Sequence, residues 1–176
     1  DESIKSNLDF HELIDAGESN LIEFKSTLRW NIREAKQDKF MEEVILKSIA
    51  AFSNAEGGKL IIGVADSGEV LGLQDDYESL REANKDYFEL HLRNLINNTY
   101  GKDFGTSNIK ISFIELDDKE ICVVDIKAGL KPLFINVTNK HGQKQEKFYV
   151  RSGNTSQDLG MSETTEYVRT RFENGR

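Results

Sequence analysis

Cysteine, proline and long apolar runs are all scarce in this chain, and each scarcity excludes something. The one cysteine, Cys122, has no partner, so a disulfide scaffold is ruled out. Its place in the run Ile121-Cys122-Val123-Val124 predicts a buried thiol in a reducing compartment. The one proline, and the lack of any Pro-rich or Ser-rich tract or internal repeat, leave no sign of a linker. No stretch approaches the roughly 20 apolar residues that span a bilayer, and the first residues lack the basic and apolar regions of a secretory leader. A soluble, cytoplasmic protein with no membrane partner is expected. Three scattered histidines, His11, His91 and His141, show neither His-x-x-x-His nor Cys-x-x-Cys spacing, which argues against zinc.

What is present is an ordinary globular composition, 38% hydrophobic and 31% charged, in a length of 176 residues that suits one domain with a substantial core. The chain opens on Asp1 without Met and ends soon after a helix-like segment, so residues 1–176 are read as a single domain cut from a longer protein, whose other domains are expected partners. The 23 basic against 31 acidic residues leave a net charge of −8. Undiscriminating phosphate binding over the whole surface is therefore not expected, because it is driven by counterion release to Lys and Arg.

The charge is nevertheless segregated. Residues 25–39 carry five basic groups (Lys25, Arg29, Arg33, Lys36, Lys39) against two acidic, a net +3, with Trp30 among them. Residues 127–151 carry six (Lys127, Lys131, Lys140, Lys144, Lys147, Arg151) against one, a net +5, while residues 66–89 sum to −6. Such runs are often solvated faces. The sharper reading is a restricted basic groove with Trp30, Phe148 and Tyr149 available to stack on bases.

Hydrophobic periodicity orders the elements. Apolar positions predict a short helix over 7–16 ending at Gly17, then a strand over 20–26 whose alternation puts Ile22 and Phe24 on one face and Leu21, Glu23 and Lys25 on the other. A largely buried helix is predicted over 39–54, a central strand over 59–65, a hairpin turn at 66–69 and a long amphipathic helix over 77–100. Strands over 109–116 and 120–127 follow, then shorter ones at 132–135 and 147–151, and a closing helix over 163–172 capped by Ser162. This order predicts an α+β fold with one mixed, mostly antiparallel sheet flanked by helices.

The segments Glu18-x4-Glu23-Phe24-Lys25, Ala51 to Asp66 (with Gly57-Gly58-Lys59 and Gly63-Val64), Gly68, Val70-Leu71-Gly72 and Tyr149-Val150-Arg151-Ser152-Gly153-Asn154-Thr155 carry a resemblance. Together they resemble the Schlafen AlbA-type domain, called divergent AAA in older naming, from about Gly17 to Phe172. The resemblance implies a nucleic-acid-binding domain. In members that cut transfer or ribosomal RNA it implies a metal-dependent endoribonuclease, with Glu18, Glu23 and Asp66 as catalytic carboxylates and metal ligands and Lys25 completing the motif. Carboxylates are hard donors suited to Mg²⁺ or Mn²⁺, which would activate water and offset charge on a phosphate. The alternative is a non-catalytic DNA-binding module of a bacterial transcriptional regulator or helicase-related protein. A third reading, an interaction or dimerisation domain, would pair it with a second copy of itself.

In either nucleic-acid reading the backbone, RNA or DNA, would be held by Lys25, Arg29, Arg33, Lys127, Lys131, Lys144, Lys147 and Arg151. Taken singly, Glu23 and Lys25 can equally be an ion pair across one sheet face, Asp66 a turn residue and Glu18 a loop carboxylate. Convergence of Glu18 and Glu23 requires a bend before the strand, since residues five apart in a regular strand face opposite sides. Gly57-Gly58-Lys59 is not a phosphate loop: Leu60 stands where a hydroxyl is needed and a strand follows in place of a helix, so no ATP site is expected and the glycines are assigned to a tight turn.

Overall fold

The computed structural model describes residues 2–173, with side chains described from residue 9 onward. The side chain of Leu8 and residues 174–176 therefore lie outside the described residues. In chain order the elements are α1 (Glu2–Asp15), β1 (Ile22–Lys25), β2 (Trp30–Asn31), β3 (Lys36–Gln37), α2 (Lys39–Ser53), β4 (Gly57–Ile62), α3 (Gln74–Ser79), α4 (Lys85–Tyr100), α5 (Lys102–Asn108), β5 (Ile109–Leu116), β6 (Lys119–Lys127), β7 (Ile135–Thr138), β8 (Lys144–Lys147), β9 (Tyr149–Ser152), β10 (Thr155–Asp158) and α6 (Met161–Val168), which runs on into a π turn over Arg169–Glu173.

The main sheet has the order β1-β4-β6-β5. β1 runs parallel to β4, while β4 with β6 and β6 with β5 are antiparallel. The fold is thus α+β with one mixed, mostly antiparallel sheet flanked by helices. One face buries Leu60, Ile62, Cys122, Val124 and Ile126 against Ile45, Ile49 and Phe52 of α2 and Phe88, Leu92 and Ile96 of α4. The other buries Phe24, Ile61 and Ile121 beneath Ile14 of α1. Cover on both faces explains why β4 and β6 read as apolar runs without alternation. Three two-stranded hairpins, β2–β3, β7–β8 and β9–β10, lie outside this sheet; β9 packs on α2, and Phe148, Val150 and Phe172 form a smaller core with Tyr167 of α6.

Local chemistry accounts for the boundaries. Asp38 caps α2, its side chain accepting the Phe40 N–H at 2.9 Å. Gly57, at φ +80°, makes the helix-to-strand turn, and a Cβ there would stand 2.5 Å from the Ile126 carbonyl oxygen, so the glycine pair is structural as expected. The β5–β6 turn puts both Asp117 and Asp118 at positive φ, the twist that tight hairpins require.

Four differences from the sequence reading have physical causes. The long helix expected over 77–100 is broken, because Leu80 is extended and buried and Asn84 caps a new helix through the Tyr87 N–H at 2.8 Å. The strand expected at 132–135 begins only at Ile135, since Leu133 gives its N–H and C=O to the Asn54 side chain. The strand expected over 147–151 is split, Lys147 ending β8 and Tyr149 opening β9. The closing helix starts earlier, capped not by Ser162 but at Gly160, whose N–H donates to the Glu163 carboxylate at 3.2 Å.

Candidate functional site

The motif carboxylates sit at the free edge of the main sheet. β1 pairs with β4 on one side only, so the N–H and C=O groups of Ile22 and Phe24 on the other side need partners, as on any edge strand. Gly17, at φ +84°, bends the chain, and the Ser19 N–H donates to the Ile22 carbonyl at 3.0 Å. That turn carries Glu18 back alongside the strand, where its Oε1 accepts the Phe24 N–H at 2.9 Å. The bend required for Glu18 to approach Glu23 is therefore present, and it gives Glu18 a structural role in closing the edge.

Glu23 points to the α2 side of the sheet and is almost fully buried. Its Oε1 lies 3.2 Å from Lys25 Nζ and its Oε2 lies 3.1 Å from Arg151 Nη1. The Glu23–Lys25 ion pair across one face is thus as the alternation predicts. Arg151, placed by β9, also donates through Nη2 to the Ser19 and Ile22 carbonyls at 2.9 and 3.1 Å, and its guanidinium stacks 4.8 Å from the centre of the Phe52 ring. Its side chain is wholly excluded from solvent. The structure does not present Arg151 to a nucleic-acid backbone, because its guanidinium is excluded from solvent beside Glu23 and donates to the Ser19 and Ile22 carbonyls.

Asp66 lies apart from this cluster, exposed in the turn where the Ala65 N–H donates to Glu69 O and the Gly68 N–H to Ala65 O. Among the described residues, no three of His, Cys, Asp and Glu stand close enough to share an ion. The structure does not bring Glu18, Glu23 and Asp66 together as one set: one Glu18 oxygen is taken by a backbone N–H, both Glu23 oxygens face cations, and Asp66 sits out in the turn. As arranged, these donors do not fit Mg²⁺ or Mn²⁺. Lys25, half-buried, is held against Glu23.

The remaining basic residues divide among several surfaces. Arg29 donates to the Gln37 side chain across the β2–β3 hairpin, and exposed Lys36 pairs with Glu34 at 2.7 Å. That hairpin is pinned to α3 by Asp76, whose buried carboxylate accepts the N–H groups of Leu28, Arg29 and Trp30 at 2.8, 3.0 and 3.2 Å. Burial raises the Asp76 carboxyl above its ordinary value despite those donors. Arg33, Lys127, Lys131 and Lys144 are exposed, while Lys147 faces Asp158 at 3.0 Å. Lys144 and Lys39 line one cleft of about 490 Å³ between α2, α4 and the β7–β8 hairpin. Of the aromatics expected to stack on bases, Phe148 is buried, Trp30 is half-buried, and the Tyr149 ring is covered by Lys47 Nζ at 5.4 Å. Cys122 is buried, which pushes its thiol well above the ordinary value and makes it inert, as its apolar setting predicts.

Sequence reasoning missed Asp76 and the pairing of Arg151 with Glu23, both of which join segments far apart in the chain. A charged residue in an otherwise apolar strand, such as Arg151 after Val150, was the available signal for a buried ion pair.

No helix is long and apolar enough to cross a membrane among the described residues. Among solved structures, the DIP2311 protein from Corynebacterium diphtheriae is similar with a TM-score of 0.57 and 16% identity, over 97% of this chain and 33% of that one. This chain thus spans about a third of that protein's length, and the likeness is one of fold. The N-terminal domain of a protein from Nitrosomonas europaea, described as related to the ATP-dependent DNA helicase RecG, aligns with a TM-score of 0.46 and 19% identity over 87% of this chain and 92% of that one. No curated protein matches the sequence. The Schlafen AlbA_2 family model matches residues 18–160, from the Glu18 turn through β10, and the chain belongs to that family.

Proposed function

We propose that this chain is a nucleic-acid-binding module that holds phosphates on a restricted basic face without cleaving them. The observation that carries the reading is the meeting of Lys39 and Lys144 in one cleft, because each comes from a different one of the two basic stretches of an otherwise acidic chain. Two carboxylates also line that cleft and balance its formal charge, but Glu43 is hydrogen-bonded to the Thr138 N–H and hydroxyl and Glu42 to His91, and neither lysine forms an ion pair among the described residues. Lysine ammonium groups bind phosphate as point charges, and the negative remainder of the surface confines a polyanion to such a cleft. Family membership supports the same reading.

Metal-dependent RNA cleavage is the less favoured reading, since Glu18 and Glu23 would first have to give up the Phe24 N–H and Arg151. The experiment is incubation with labelled transfer RNA, single-stranded DNA and duplex DNA, in Mn²⁺ and in chelator. Retention at about 50 mM salt that disappears toward about 200 mM, with substrates intact in both conditions, is the expected result. Absence of retention overturns the binding reading, and Mn²⁺-dependent cleavage lost in Glu23→Ala overturns the non-catalytic one.

A further inference from the structure

The sheet face under α1 continues past the core that Ile14 covers. Beyond Phe24, Ile61 and Ile121, the same face continues through Ile22, Lys59, Asp125 and Lys110, which are successive cross-strand neighbours on β1, β4, β6 and β5. This row forms part of the wall of a groove of about 670 Å³ whose lining also includes Leu21, Lys127 and the end of α5.

The charges in the groove are arranged, not merely numerous. Asp125 sits between two lysines in its row and pairs with Lys59. Lys110 and Lys127 are exposed and form no ion pair among the described residues. Lys59 and Lys110 stand two strand spacings apart, about 9–10 Å, and Lys127 lies two residues along β6 from Asp125, about 7 Å. Three lysines thus share this end of the sheet with one carboxylate, leaving a net positive surface.

What the groove lacks narrows its occupant. Among the described residues no aromatic side chain and no arginine lines it, so these supply neither the anchors that dominate protein–protein hot spots nor a platform for stacking bases. Lysines are also depleted in protein interfaces. We infer that this open end of the sheet is a second nucleic-acid contact, one that holds phosphates and sugars and reads no sequence. It lies on the face of the sheet opposite the Lys39–Lys144 cleft. The inference rests on the nucleic-acid reading above but assigns a different surface.

The test compares wild type with Lys110→Gln/Lys127→Gln by titrating binding to a duplex and to a single strand against salt. Both positions are exposed, and unchanged thermal unfolding confirms that the variant is folded. Loss of two phosphate contacts lowers the slope of log K against log salt by about 1.8 on duplex DNA or about 1.4 on a single strand, equally for unrelated sequences. A wild type that binds with a slope unaltered by the double change overturns the second contact and leaves the parent reading standing. Altered sequence preference in the variant overturns the claim that the groove reads no sequence. A wild type that retains no nucleic acid overturns both readings, whereas capture of an acidic peptide that is lost in the variant assigns the groove to a protein and overturns this one.

Discussion

Arg151 Nη1 lies 3.1 Å from Glu23 Oε2, joining β9 to the edge strand of the main sheet through a guanidinium with no solvent exposure. A buried pair of this kind is weak evidence of net stabilisation, because desolvation of both ions opposes their attraction, but removing Arg151 leaves the buried Glu23 carboxylate with Lys25 alone, and that lysine is partly exposed. Arg151→Ala is therefore expected to cost about 3–5 kcal/mol, lowering the midpoint of thermal unfolding by roughly 10 °C in a chain of this size. Arg151→Met/Glu23→Leu should recover most of that loss. Denaturant unfolding of the single and double variants decides it: equal losses in both would show that the guanidinium acts through its backbone hydrogen bonds and not through Glu23.

Glu18 closes the edge by accepting the Phe24 N–H at 2.9 Å. Glu18→Ala removes that acceptor and should cost about 1 kcal/mol, while Glu18→Gln keeps an amide oxygen in place and should cost less. Asp66→Ala, in an exposed turn, should stay within about 0.5 kcal/mol of wild type. None of the three should change with Mn²⁺. Thermal unfolding with and without the ion is the check, because an ion at 100 times its dissociation constant would stabilise the folded chain by about 2.7 kcal/mol.

Asp76 sets burial against hydrogen bonding in one carboxyl group, and burial is the larger effect, raising it above the ordinary 3.8. The folded state therefore holds that proton to higher pH than the unfolded state does. The stability Asp76 contributes is fully present below about pH 3.8 and falls as pH rises through its raised folded value. Relative to Asp76→Asn, which stays neutral, wild type should lose stability as pH rises from about 3.8 through the raised folded value. Urea unfolding of both proteins across that range tests it, and a wild-type advantage that grows with pH would mean that the N–H groups of Leu28, Arg29 and Trp30 outweigh burial.

The parts of the fold that were legible in the sequence are those whose cause is local. The 3.6-residue recurrence from Phe40 to Phe52 marked α2, and the runs Lys59 to Ala65 and Ile109 to Lys127 marked the central strands. The break between α3 and α4 was not legible, since Leu80-Arg81-Glu82-Ala83-Asn84 contains no Pro or Gly; it is made where Leu80 turns extended into the core and Asn84 caps the next helix. The same limit applies at the candidate site. Alternation placed Glu23 and Lys25 on one face, but no local pattern shows that Arg151 crosses 128 positions to meet Glu23, so a residue that reads as a surface cation in its own segment proves to be interior.

This distinction orders the lysines of the second basic stretch. Lys144 is exposed beside Lys39, whereas Lys147 is half-buried and faces Asp158 at 3.0 Å. A lysine already neutralised by a carboxylate releases few counterions when nucleic acid binds, so the two should differ although they are three residues apart. Lys144→Gln should reduce the salt slope by about 0.9 on duplex DNA, the value for one phosphate contact, and Lys147→Gln by less than half of that. Asp158→Asn should then raise affinity by freeing Lys147 to reach a phosphate. Equal slopes for the two lysine variants would mean that the Lys147–Asp158 pair opens on binding, and the cleft would have to be redrawn to include both.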